Sequence, residues 1–166
     1  MDNRPDGVAP ASLEAARSLA PRLSAAHRRE IAVTSGLSPV RALELSLAAS
    51  AEAYALTDGR SGEVVFMMGV EPASPITGGA MVWMLGGAGI RRRPARTLRC
   101  ARWGIERAFA ATGAEWLEQY IPEWYRAGQA FARRLGFVVE RETTRGSGGC
   151  ALRRVVLHRT ALKTKG

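Results

Sequence analysis

The sequence predicts one α/β domain in which a mixed, mostly antiparallel sheet is flanked by helices, and three observations carry that expectation. The first third of the chain has apolar residues at helical spacing, with serine or proline where helices would start. Two extended runs, AEAYALTD and GRSGEVVFMMGV, then meet at Asp58 and Gly59 with Gly62 beyond, which is a hairpin signal. The remainder reads strand, helix, strand, helix and a closing pair of strands, an order that leaves helices packed on a mixed sheet. At 166 residues, with 46% hydrophobic and 23% charged, the chain is long enough for one real core. Residues 12–158 are expected to form that domain, between a flexible N-terminal arm at 1–11 and a basic tail at 159–166.

The elements follow in order. Pro5, Gly7 and Pro10 interrupt any periodic pattern in the arm. Ser12 is a capping residue for a helix with Leu13, Ala16, Leu19 and Ala20 on one face, and a second helix from Ala25 to Thr34 should stop near Gly36. Ser38 caps a third that begins at Pro39, with Val40, Leu43, Leu47 and Ser50 in a stripe. GGAMVWMLGG is apolar on both faces, as a central strand should be. From about Arg92 to Thr112, residues Leu98, Ala101, Ile105, Ala108, Phe109 and Thr112 describe one long amphipathic helix, stopped by Gly113. EWLEQYI alternates as a strand. PEWYRAGQAFARRLG is a helix with Trp124, Gly128, Phe131 and Leu135 inward, and Gly136 supplies its left-handed cap. FVVERE, the turn RGSGG and CALRRVVLH complete a terminal hairpin.

Composition narrows the function classes. No run reaches the roughly 18 apolar residues of a membrane helix, since GAMVWMLGGAGI runs into Arg91, Arg92 and Arg93. The start, MDNRPDGVAPAS, lacks the apolar block of a secretion signal. Cys100 and Cys150 have no CxxC pattern and no neighbouring histidine, so neither a disulfide framework nor a metal site is expected. His27 and His158 stand apart among arginines and read as structural or solvated. The net charge of +9 rests on 22 arginines against 2 lysines, which suits planar contacts with carboxylates or phosphates.

The element order, together with FARRLGFVVE at the end of the last helix, resembles the GNAT (general N-acetyltransferase) superfamily over about residues 25–158. More narrowly, LSPVRALELSLAASAEAYAL, the Gly-Val and Trp-Met-Leu-Gly strands and the helix ending in RRLGF look like a family of GNAT-like proteins of short-tailed bacteriophages, made up of internal virion proteins and acetyltransferase-like proteins. The superfamily resemblance implies an acetyl-CoA site where one strand splays from its neighbour and a helix N-terminus meets the pyrophosphate. The superfamily's loop, Q/R-x-x-G-x-G/A, falls on Ile90 to Ala95, with Arg93 at the first glycine and only Ala95 matching. Arg91, Arg92, Arg93 and Ala95 are therefore the residues expected around a bound acetyl-CoA. On the last helix, Tyr125 stands where asparagine is usual, and Ala132 where a tyrosine often protonates the departing thiolate. Tyr125 is the candidate to take over as general acid, although it lies about two helical turns, roughly 10 Å, upstream. Glu71, just after FMMGV, is the candidate general base, and Glu118 faces either a cleft or an arginine.

Between Arg91 and Arg107 seven arginines face one acid, Glu106, and on a continuous helix Arg92, Arg96 and Arg99 would share a face able to meet phosphates or acidic partners, while Arg102 and Glu106 could pair. The resemblance and the departures together lead to the expectation of a virion or assembly protein. It would use a GNAT-like fold as a binding module, in the virion or the host cytoplasm, meeting other virion proteins or packaged DNA. An acetyl-CoA-dependent N-acyltransferase is the alternative, and a non-specific DNA-binding protein the third reading.

Overall fold

A computed structural model describes residues 3–163. In chain order the elements are β1 (Val8–Pro10), α1 (Leu13–Leu19), α2 (Ala25–Thr34), α3 (Pro39–Ala49), β2 (Glu52–Thr57), β3 (Val64–Val70), β4 (Gly79–Gly86), α4 (Gly89–Arg92), α5 (Pro94–Thr112), β5 (Trp116–Pro122), α6 (Arg126–Leu135), β6 (Val138–Arg145), β7 (Ala151–His158) and α7 (Arg159–Lys163). Local chemistry explains the ends. Ser12, Ser24 and Ser38 each accept a hydrogen bond from a backbone N–H three residues on, capping α1, α2 and α3. Gly113 and Gly136, both left-handed, end α5 and α6.

The strands form one sheet in the order β1-β2-β3-β4-β5-β7-β6, antiparallel at every step except between β4 and β5. Alternation along β3 divides the core. Met67 packs with α1 and α3 through Leu19 and Leu43, whereas Phe66 and Met68 join Cys100 and Trp103 of α5. A third cluster joins α5 and α6 over β5 and β7, through Ile105, Phe109, Leu117, Ala132 and Val155. Leu13 and Val40, expected on inward faces, are 49% and 37% exposed, because each sits in the first turn of its helix beyond the packed stripe.

Three expectations are corrected. The arm at 1–11 contains a strand: Val8 is buried, Val8–Pro10 pairs with Tyr54–Leu56, and Gly7 O accepts from Thr57 N–H, so the sheet edge holds the segment. Residues 1 and 2 lie outside the described residues. The basic tail at 159–166 begins as α7, tied down where the Arg159 guanidinium donates to the carbonyls of Phe109 and Ala114 and where Leu162 packs on the core. Residues 164–166 lie outside the described residues. Finally, the long helix from Arg92 is two helices. The residue before a proline is driven out of the helical region by the ring, and Arg93, with φ −137° and ψ 66°, breaks the chain between α4 and α5.

Gly87, just beyond β4, bridges to Leu23, and a β-carbon there would lie 2.7 Å from the Arg22 carbonyl oxygen. Backbone cannot yield as a flexible side chain does. Gly87→Ala is expected to lower stability by about 2 kcal/mol, read as a reduced midpoint in urea with the slope unchanged.

Candidate active site

The site begins where the sheet opens. The register of β4 against β5 pairs only Gly79–Met81 with Trp116–Glu118. Beyond those positions β4 keeps β3 on its other side and β5 keeps β7, so the two strands part. A cleft of about 250 Å³ occupies the gap and the space between α5 and α6, with Met68, Val82, Ile105, Ile121 and Phe131 among its apolar walls. Ala132 is buried in one wall, a small residue that leaves the space open.

Polar groups gather at the end of the cleft near the end of β4. His27, on α2, is buried, and its Nδ1 lies 2.9 Å from Gly86 O. The same Nδ1 lies 3.1 Å from the Gly86 N–H, which donates to it in the other tautomer, and Nε2 faces the Tyr125 hydroxyl at 3.4 Å, as acceptor or donor according to which nitrogen carries the proton. The two rings meet edge to face at 5.7 Å. Burial lowers the pKa of His27 more than its bond to Gly86 raises it, so the ring is neutral at pH 7. Tyr125 immediately precedes α6, and its pKa is raised, first by burial and then by the charge of Glu30, against a smaller lowering by Arg91. It therefore holds its proton at neutral pH and can donate it. Glu30, one turn after His27, lines the same space at 9% exposure, and burial pushes its carboxyl up to about 7.

His27 ties three elements together, α2, the end of β4 and the approach to α6. Removing the ring leaves Gly86 O and the Tyr125 hydroxyl without this partner. His27→Ala is expected to destabilise the fold by about 1–3 kcal/mol, measured by urea denaturation at pH 8, where the wild-type ring is neutral in both folded and unfolded states.

The residues expected from the sequence are not all gathered here. Arg91 and Tyr125 line the cleft. Arg92, Arg93 and Arg96 line a separate depression of about 390 Å³ that also contains Asp58 and Glu63. Within it Arg22 pairs with Glu63 at 3.1 Å, and Arg96 donates to the carbonyls of Asp6 and Thr57. Arg99 is exposed on α5 and lines neither space, and Ala95 is exposed at the start of α5. The break at Arg93 removes the continuous helix on which Arg92, Arg96 and Arg99 would have shared a face. Glu71 follows β3 outside the cleft, its N–H donating to Met81 O. Glu118 pairs with Arg154, and Arg102 donates to Arg134 O. The sequence reading treats His27 as structural or solvated and passes over Glu30, because Tyr125, which faces His27, lies 98 residues away. Their spacing of three, which puts both on one face of a helix, was the available signal.

No protein-family model matches the chain, and no curated protein matches it in sequence. Solved structures do. A GNAT-family protein from Chromobacterium violaceum superposes with a TM-score of 0.72 at 16% identity, over 96% of this chain and 92% of that one. Spermidine N-acetyltransferase from Vibrio cholerae, as a point variant, gives 0.69 at 10% identity, over 96% and 99%. A GCN5-related N-acetyltransferase from Brucella melitensis gives 0.63 at 18% identity, over 94% and 76%. The fold is GNAT-like. At these identities the likeness is one of fold, and the expectation of a mixed, mostly antiparallel sheet flanked by helices holds in full.

Proposed function

We propose that this GNAT-like chain is an acyl-CoA-dependent N-acyltransferase, with acetyl-CoA as the donor to test first. The observation that carries the reading is the parting of β4 from β5, which opens an apolar cleft beside a half-buried, protonated tyrosine. The residues present fit an acyl-pantetheine chain. Past Met81 the edge of β4 is not paired to β5, and unpaired backbone groups seek partners such as the amides of pantetheine. Arg91 lines the cleft and suits an anionic phosphate.

The donor supplies an activated thioester. In this reading the walls would shield the thioester and Arg91 would hold the charged end. A neutral amine nitrogen would bond to the thioester carbon and lose its proton to buffer at the cleft mouth, while Tyr125 Oη would protonate the sulfur as the carbon–sulfur bond breaks and then be reprotonated from solvent. His27 Nε2 keeps that hydroxyl oriented. Glu71, outside the cleft, has no part. The relatives named above are acetyltransferases or GNAT-family proteins, which favours this reading over the virion module. A DNA-binding face drawn from Arg92, Arg96 and Arg99 loses its geometric basis at Arg93.

The test is release of free thiol from acetyl-CoA in the presence of a panel of primary amines. Amine-dependent release supports the enzyme; its absence with every amine, in protein that binds the donor, counts against it. Arg91→Ala is expected to weaken acetyl-CoA binding about tenfold, and Arg99→Ala to leave it unchanged. Equal effects of the two, read by calorimetry, would mean that Arg91 holds nothing.

A further inference from the structure

We propose that Glu30 binds the acceptor, and that the acceptor is a primary alkylammonium ion with no anionic group beside its amine. The proposal rests on the acyltransferase reading for the reaction, but its binding claim is tested separately. Glu30 is 91% buried, since only 9% of its surface is exposed, and it lines the cleft. Among the described residues its carboxylate has no hydrogen-bond or ion-pair partner. Buried carboxylates are ordinarily paired, because an isolated charge out of water is costly. One left unpaired against an open cleft is a position that a cation completes.

The other polar groups of the cleft are already committed. Glu52 is held by Arg107 at 2.7 and 3.0 Å and accepts from the Tyr54 hydroxyl at 2.8 Å. His27 and Tyr125 face each other. Arg91, in α4, is the cation of the lining, and among the described residues no ion pair joins it to Glu30. Glu30 is thus the acid that remains for an incoming charge. The apolar walls formed by Ile105, Ile121 and Phe131 suit methylenes behind an ammonium. An amino acid would bring its own carboxylate towards Glu30 and Glu52 and be repelled. Burial alone pushes the Glu30 carboxyl up to about 7, so at pH 8 it is ionised and ready to pair.

The experiment titrates the full-length protein with n-butylammonium chloride and with n-butanol, at pH 8, by calorimetry, in wild type and Glu30→Gln. Butylammonium should bind wild type at least tenfold more tightly than it binds Glu30→Gln, while butanol distinguishes the two proteins by less than twofold. A readout free of any variant is the titration of the Glu30 carboxyl carbon by NMR in wild type. Saturating butylammonium should lower its midpoint by at least one pH unit. Unchanged butylammonium affinity in Glu30→Gln, or an unmoved midpoint, overturns the proposal. A parallel titration of wild type with acetyl-CoA separates the two claims. If acetyl-CoA binds and Glu30 ignores the ammonium, only the acceptor assignment fails; if acetyl-CoA does not bind, the acyltransferase reading fails.

Discussion

Tyr125→Phe is expected to lower the turnover of acyl transfer about a hundredfold while leaving the affinity for acetyl-CoA within about twofold. The phenylalanine keeps the ring that packs edge to face on His27 and removes only the hydroxyl. What is lost is the proton that the departing sulfur would take, an interaction made in the transition state rather than in the bound complex. The wild-type hydroxyl is protonated throughout the neutral range, and burial, by raising its pKa, keeps it so. Ala132, where the superfamily resemblance led us to look for the acid, has no proton to give. Initial-rate kinetics with both substrates varied make the check: a drop confined to kcat supports Tyr125 as the acid. An unchanged kcat would reduce it to a packing residue.

Glu30→Gln is expected to stabilise the protein at pH 8 by up to about 3 kcal/mol and to leave it nearly unchanged at pH 4. The sign follows from linkage. The carboxyl has a pKa of about 7 in the folded chain against the ordinary 4.5, so between those values the folded state holds the proton that the unfolded state has released. Stability from this group therefore falls as pH rises from about 4.5 to about 7 and is flat above. Glutamine has the same shape and no charge to desolvate. His27 acts in the opposite direction, because burial lowers its pKa, so the folded ring resists a proton that the unfolded chain takes up below about 6.5. The difference between wild type and Glu30→Gln isolates the Glu30 share, since His27 is common to both. Urea denaturation at several pH values measures it, and a pH-independent difference would mean that Glu30 is solvated or paired.

The sheet and helices were legible because their signals are local. Ser12 and Ser38 are adjacent to the helices they cap, Gly113 and Gly136 stop helices by their own backbone freedom, and Asp58 and Gly59 mark the β2–β3 turn. The break at Arg93 was legible too, in Pro94, but the arginine spacing and apolar stripe ran through it and hid it. The strand in the first eleven residues was not legible, since it has only three paired residues, Val8 among them, and Val8 owes its burial to Leu56 and Phe66 on other strands. The site was half legible. Tyr125 and Arg91 came from a resemblance in the order of the chain, whereas His27 and Glu30 acquire meaning only when α2 is folded across the end of β4. No spacing in the sequence encodes that contact.

The measurement that bears most directly on the account is a calorimetric titration of the wild-type protein with acetyl-CoA. The parting of β4 and β5 and the open cleft predict one binding event per chain with a dissociation constant in the range of about 1–100 μM. Heat no greater than dilution, at millimolar acetyl-CoA and with the protein folded, would contradict it.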